Sequence, residues 1–207
     1  MEQKIRIKVC GMRDESNIRQ LCELPIHFIG FIFYPRSPRY AGEMPVDAAR
    51  QVPEHIKKVG VFVGASVDEI RRIADRYRID MVQLHGSESP EFCHILKQEG
   101  LVVVKSFAAV DQQLVECAMY QHACDYLLFD TPTIQHGGSG KKFDWSLLQN
   151  RQLPLPFFLS GGIGPHDAAQ IKQFYHPQLF AVDVNSRFEI QPGLKDIDLL
   201  KRFIEQL

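Results

Sequence analysis

A single-domain (β/α)8 barrel of the α/β class is the fold the sequence predicts over residues 1–207, and three observations carry it. Short apolar runs of strand length alternate with stretches whose apolar residues recur at three-to-four spacing, in roughly eight strand-then-helix units, and sustained alternation of this kind implies a parallel sheet. The length fits a barrel formed by one domain. An open doubly wound sheet, the alternative, carries a glycine fingerprint after its first strand, and Cys10-Gly11-Met12-Arg13-Asp14 is not one.

The first strand is read from Ile5, Ile7 and Val9, which alternate with Arg6 and Lys8 to give one apolar face, with Gly11 as the turn residue. Cys10 thus lies at a strand's carboxyl end, the edge where parallel α/β folds bind ligands. Taken alone it reads more simply as a buried core cysteine. Asp14 or Ser16 caps a short helix through residue 24, with Ile18, Leu21 and Cys22 on its apolar side and Pro25 ending it. Residues 28–33 form a continuous apolar run suited to a strand covered on both faces. It runs into a stiff basic loop, Tyr34-Pro35-Arg36-Ser37-Pro38-Arg39-Tyr40; Arg36 reads as solvated surface charge.

Helical residues at 46–52 precede a strand at 58–63, and Ser66 with Glu69 forms a capping box for a helix whose apolar stripe is Ile70, Ile73, Ala74 and Tyr77. The strand at 81–84 ends at His85-Gly86. Ser89-Pro90-Glu91 opens a helix bearing Phe92, Cys93, Ile95 and Leu96, followed by a strand at 101–106. A helix at 111–120 is expected to turn Leu114, Val115 and Ala118 inward, and the strand 126–130 ends on Asp130. The glycine-rich loop 136–142 lacks the spacing and final hydroxyl residue of a P-loop and reads as a mobile cover. A helix begins at Asp144, and a strand at 155–159 leads through Ser160-Gly161-Gly162 to a helix at 166–174. A last strand at 179–184, a turn at Asn185-Ser186-Arg187 and a helix at 196–207, with Ile197, Leu200, Phe203 and Ile204 inward, complete the pattern.

The 24 basic and 25 acidic residues nearly balance and no segment concentrates Lys and Arg, so nucleic-acid binding has no electrostatic source and a small-molecule ligand is expected. Five cysteines without a C-x-x-C pair argue against a disulfide framework or structural zinc and for a reducing compartment. Cys93 and His94 are neighbours facing different ways, so no metal pair is expected there. The start Met1-Glu2-Gln3-Lys4 has no apolar core and no run has bilayer length, so the expectation is a cytoplasmic protein without a membrane partner. Oligomeric state, monomer or homodimer, is left open.

In a barrel, Cys10, Arg39, His85, Asp130, the Ser160-Gly161-Gly162 turn and the Asn185-Ser186 turn all lie around one mouth. That convergence turns Cys10 from packing toward chemistry. Loops after the seventh and eighth strands of barrels commonly bind phosphate through backbone N–H groups, and Gly161 and Gly162 permit the close approach this needs. A thiol and a carboxyl group on one mouth suit a proton-transfer pair: a nearby cation or dipole would lower the thiol, and apolar surroundings would raise Asp130 enough to keep it protonated. A helix cap or structural hydrogen bond remains the other reading of Asp130.

Six motifs fall in one order. They are Lys8-Val9-Cys10-Gly11-Met12; Gly30-Phe31-Ile32-Phe33 with the basic loop; Val82-Gln83-Leu84-His85-Gly86; Leu128-Phe129-Asp130-Thr131 with Gly137 to Trp145; Leu159-Ser160-Gly161-Gly162; and Ala181-Val182-Asp183-Val184 with Pro192-Gly193-Leu194-Lys195-Asp196. The ordered set resembles the phosphoribosylanthranilate isomerase family of tryptophan biosynthesis, whose barrels are of the ribulose-phosphate-binding type. The resemblance implies an Amadori rearrangement of N-(5-phosphoribosyl)anthranilate, without metal or cofactor. It implies Asp130 as the general acid that opens the ribose ring and Cys10 as the general base that takes the C2 proton. It also implies Arg39 facing the anthranilate carboxylate, Asp183 at a sugar hydroxyl, His85 as a pocket residue, and Gly161, Gly162, Asn185 and Ser186 at the phosphate. Arg187 departs from the family, many of whose members place glycine there; at a positive φ it would be strained, and otherwise it adds charge near the phosphate.

Overall fold

The computed structural model describes residues 5–132 and 142–207; apart from Lys142, the glycine-rich loop read as a cover lies outside the described residues. Strands β1 (Arg6–Val9), β2 (Phe28–Ile32), β3 (Lys57–Phe62), β4 (Met81–Leu84), β5 (Val102–Ala108), β6 (Tyr126–Asp130), β7 (Phe157–Leu159) and β8 (Leu179–Val184) close into one barrel in chain order. Every neighbouring pair is parallel, and β8 closes on β1 with Lys8 opposite Asp183. Helices α1 (Glu15–Leu21), α2 (Val46–Arg50), α3 (Val67–Tyr77), α4 (Pro90–Gln98), α5 (Asp111–Glu116), α6 (Ser146–Gln149), α7 (Ala168–Gln173) and α8 (Ile197–Glu205) follow the strands in turn.

The helices start where their sequences offer side-chain acceptors. Asp14, Ser66, Ser89 and Asp196 each accept an N–H from the first turn of α1, α3, α4 and α8. Their apolar sides pack on the outward face of the strands, where Ile18, Leu21, Leu96, Ile171, Leu200 and Phe203 meet Val9, Val82, Phe129 and Val184 in the main core. Each such large side chain contributes about 1.5–3 kcal/mol when fully buried.

One element differs in phase from the sequence reading. After α5 the chain tightens into a 3-10 turn, Cys117–Tyr120, with three residues per turn. The inward positions are therefore Leu114, Cys117 and Tyr120, while Val115 is 68% exposed and Ala118 is also exposed. A second feature was absent from that reading: a short antiparallel hairpin, β9 (Glu189–Gln191) and β10 (Leu194–Lys195), between β8 and α8.

Parity along the strands separates the barrel interior into two storeys. Phe28, Val59, Met81, Val104, Leu128, Phe158 and Ala181, one from each of β2 to β8, form an apolar ring; the matching residue of β1, Arg6, lays its guanidinium 4.6 Å from the Phe180 ring centre. Two residues further along, the same inward face carries Lys8, Gly30, Val61, Gln83, Ser106, Asp130, Ser160 and Asp183. The floor is apolar and the storey above it is polar.

Gly30 leaves the room that Cys10 fills. A Cβ at residue 30 would stand 2.7 Å from Cys10 Sγ and 3.0 Å from Cys10 Cα, and the Gly30 carbonyl accepts both Gly11 N–H (2.9 Å) and Met12 N–H (3.0 Å). Gly30→Ala is expected to destabilise the fold by about 1–3 kcal/mol through overpacking. Urea unfolding checks this, and an unchanged midpoint would refute the contact.

Candidate active site

Lys8 is the charge at the centre of the polar storey. It is 1% exposed, its ammonium donates to Asp183 Oδ2 and to Gln83 Oε1, each at 2.8 Å, and it interacts electrostatically with the Cys10 thiol. Burial pulls its proton affinity down, but Asp183 and Cys10 outweigh that and hold Lys8 protonated. Gln83 in turn contacts Ser106 Oγ (3.3 Å) and His85 Nδ1 (3.1 Å). His85 Nε2 lies 3.6 Å from Asp130 Oδ2. Cys10, Lys8, Gln83, His85 and Asp130 thus stand in one line of contacts across the mouth.

The two candidate proton-transfer groups are both desolvated. Burial pushes the Cys10 thiol above its ordinary value, against the pull of Lys8 and Lys195 and with Asp183 adding to the rise. This corrects the expectation of a lowered thiol: the cations are present, but desolvation outweighs them. Burial pushes Asp130 up to about 6, opposed by the N–H of Thr131, which donates to Oδ1 at 2.7 Å. The carboxyl direction is the expected one.

Arg39 arrives from the β2–α2 loop, its stem so close to Gly11 that a Cβ there would meet Arg39 Cδ at 2.7 Å; Gly11 has φ +82°. Its Nε and Nη2 grip Glu189 at 2.7–3.1 Å. Glu189, with a side chain 5% exposed, also accepts from Lys195 Nζ at 2.7 Å, and burial pulls Lys195 down to about 8. The side-on grip occupies one edge of the guanidinium and leaves the Nη1/Nη2 edge available for a second carboxylate.

Gly161 (φ +91°) and Gly162 (φ +68°) turn the chain after β7; a Cβ on Gly161 would stand 2.5 Å from Thr131 Oγ1 and 3.2 Å from Asp130 Oδ1, so this turn also packs on the acid. Asn185 Oδ1 accepts from Lys195 Nζ at 2.7 Å, and Ser186 opens a 3-10 turn to Phe188. That turn contains Arg187; among the described residues Arg78 is the one non-glycine with positive φ, so the strain considered for Arg187 does not arise. Asp183 Oδ1 is buried and has no hydrogen-bond partner among the described residues. A cleft of about 530 Å³, lined by His85, Lys105, Ser106, Asp130 and Thr131 among others, opens from this storey and is of a size that takes a small molecule. Lys8, Gln83, Glu189 and Lys195 escaped the sequence reading; a lysine two residues before Cys10 and a glutamine two before His85, each on its neighbour's face, were the available signals.

A model of the family described as "PRAI: N-(5'phosphoribosyl)anthranilate (PRA) isomerase" matches residues 7–206. The chain belongs to this family. It is 48% identical over 204 residues to the N-(5'-phosphoribosyl)anthranilate isomerase of Parabacteroides distasonis, covering 97% of this chain and 92% of that protein. The crystal structure of phosphoribosyl anthranilate isomerase from Thermotoga maritima superposes with a TM-score of 0.85 at 34% identity, covering 98% of both chains. A further structure of the family, solved with reduced 1-(o-carboxyphenylamino)-1-deoxyribulose 5-phosphate bound, matches with a TM-score of 0.82 at 31% identity, covering 98% of this chain and 97% of that one. Among the described residues no helix is long and apolar enough to cross a membrane.

Removing the central cation leaves Asp183 buried and unpaired. Lys8→Met is expected to cost about 3–5 kcal/mol of stability and to push the Cys10 thiol higher still. Urea unfolding and the pH dependence of Cys10 alkylation measure the two effects; a thiol that titrates lower in the variant would contradict the contact.

Proposed function

We propose that the chain catalyses the Amadori rearrangement of N-(5-phosphoribosyl)anthranilate to 1-(2-carboxyphenylamino)-1-deoxyribulose 5-phosphate, as one cytoplasmic barrel domain over residues 1–207 in tryptophan biosynthesis. The observation that carries the reading is the pairing, on the mouth of a barrel of this family, of a buried thiol with a carboxyl group raised to about 6. Five free thiols suit a reducing compartment.

Asp130, as carboxylic acid, gives its proton to the ribose ring oxygen; the C1–O bond breaks and the nitrogen lone pair forms a protonated Schiff base. The Cys10 thiolate then removes the C2 proton, and the electron pair left behind forms the C1=C2 bond and neutralises the nitrogen. The enolamine loses its O2 proton and gains one at C1, giving the ketone. Substrate and product are isomers; Asp130 ends as carboxylate and Cys10 as thiol, so each turnover requires the pair to exchange one proton through solvent or site. These steps use protein groups and no cofactor.

Supporting groups follow from their free valences. Arg39 offers its Nη1/Nη2 edge to the anthranilate carboxylate, with Glu189 gripping the other edge. Asp183 Oδ1, buried without a partner among the described residues, accepts from a sugar hydroxyl. Gly161 and Gly162 present backbone N–H groups to the phosphate without side chains in the way, with Asn185 and Ser186 on the adjoining loop. Arg187 extends the positive charge of that loop.

Cys10→Ser and Asp130→Asn are each expected to lower kcat by about 100-fold or more with unfolding unchanged, measured on freshly generated phosphoribosylanthranilate; near-normal turnover in either variant sinks the assignment. The wild-type chain should restore growth of a tryptophan auxotroph lacking this step, and Cys10→Ala should not.

The pH profile tests the ionisation order. The reacting form carries Cys10 as thiolate and Asp130 as acid, yet Asp130 titrates at about 6 and the thiol higher. Between those two values the reacting form is a constant small fraction, because as pH rises the growing thiolate fraction is matched by the shrinking fraction of protonated carboxyl. Below about pH 6 both groups hold protons and the thiolate is lost. The expected kcat/KM, which reports the free enzyme, is therefore flat through neutral pH and falls below about 6. A rate that instead declines above that value would mean that the thiol ionises before the carboxyl group.

A further inference from the structure

Donors and acceptors along one chain of contacts determine where a proton sits. Lys8 Nζ is a donor only, so its contact on Gln83, at 2.8 Å, is the carbonyl Oε1. The amide nitrogen of Gln83 is then the group that faces Ser106 Oγ at 3.3 Å and His85 Nδ1 at 3.1 Å. That nitrogen has hydrogens and no acceptor capacity, and it therefore needs a lone pair on Nδ1. The imidazole must carry its proton on Nε2. Nε2 stands 3.6 Å from Asp130 Oδ2, while Asp130 Oδ1 is already held by the N–H of Thr131 at 2.7 Å.

We propose that Lys8 and Gln83 lock His85 as the neutral Nε2–H tautomer, a positioning residue whose N–H faces the oxygen of Asp130 that gives up the proton. The usual ambiguity in placing an amide's oxygen and nitrogen is removed here by the ammonium, which accepts nothing. At 3.6 Å the His85–Asp130 approach is longer than a hydrogen bond, and contacts of this kind tighten in the reacting complex. Negative charge appears on Asp130 only as its proton leaves. A donor held in place for that charge favours the transition state over the bound substrate, so it acts on kcat more than on KM. An imidazolium or an Nδ1–H tautomer would set two N–H groups against each other at Gln83.

The inference rests on the acid role proposed for Asp130, and its test separates the two. The chain has eight histidines; in protein labelled with 15N at histidine, the His85 signals are identified by their loss in His85→Gln. A protonated Nε2 with an unprotonated Nδ1 is expected, and Gln83→Glu, which sets an acceptor against Nδ1, is expected to move a proton there. Gln83→Glu should lower kcat about tenfold or more with KM changed less than about threefold. His85→Gln carries an amide nitrogen near the Nε2 position and should keep kcat within about threefold, whereas His85→Asn reaches only the Nδ1 position and should lose as much as Gln83→Glu. A protonated Nδ1 in the wild-type protein overturns the lock, and equal losses in His85→Gln and His85→Asn overturn the donor role. Folded wild-type protein that fails to rearrange the substrate counts against the isomerase reading, while its spectrum still decides the tautomer.

Discussion

Lys8 is a full charge 1% exposed inside a barrel, and most of the polar storey is arranged around it. Moving an ammonium from water into such a place costs several kcal/mol even after relaxation. The cost is offset because the head group donates to Asp183 and to Gln83, each at 2.8 Å, and is further held by its charge interaction with Cys10. Those same contacts orient Asp183, set which end of the Gln83 amide faces His85, and place a cation beside the thiol. A neutral residue of similar length would fill the volume but leave all three neighbours without their reference. The lysine therefore belongs to stability and to the site at once.

The parity of the strands keeps those two tasks from interfering elsewhere. Outward residues such as Val9, Val82, Phe129 and Val184 pack under the helices and are fully buried, while the residues between them face the barrel axis. On that axis the apolar ring from Phe28 to Ala181 closes the lower part, so polar groups one step higher sit on a dry floor. Such a floor desolvates whatever rests on it, which is why burial heads the causes acting on Lys8, Cys10, Asp130 and Asp183 alike. The site's electrostatics are a consequence of how the barrel is filled below it.

The architecture was legible because period and length are local properties: the strands fall where the apolar runs predicted, with ends shifted by one or two residues. Cys10, His85 and Asp130 were placed on one mouth because strand ends converge in a parallel barrel, whereas Asp183 came only from the family resemblance. Lys8 was not legible, since a charged residue alternating with Ile7 and Val9 has the pattern of a solvent-facing side, and only closure of the barrel makes that side an interior. Glu189 and Lys195 were hidden for another reason. They sit on a hairpin of three and two residues, too short for periodicity to register, and the grip of Glu189 on Arg39 spans 150 positions of chain. Ala118 was misplaced because a 3-10 turn shifts the helical phase. The direction of the thiol's shift depended on weighing burial against two cations, and only the burial of the folded chain supplies that weight.

The compensation of Arg39 by Glu189 bears on how the proposed substrate would set its own proton balance. In the free site the Arg39 guanidinium and the Lys195 ammonium share the single Glu189 carboxylate, which leaves one positive charge in surplus. A ligand that brings a carboxylate to the open edge of Arg39 and a phosphate to the Gly161–Gly162 turn adds more negative charge than that surplus cation offsets. Added negative charge raises the proton affinity of nearby acids. Asp130, poised at about 6, is the group most readily carried across neutrality by such a change, and it is the group the proposed mechanism requires protonated first. The thiol is raised as well, but the positive charge of Lys8 beside it limits that rise. Substrate charge and the fixed ammonium thus act on the two members of the pair unequally, which favours the acid on Asp130 while a thiolate remains accessible on Cys10.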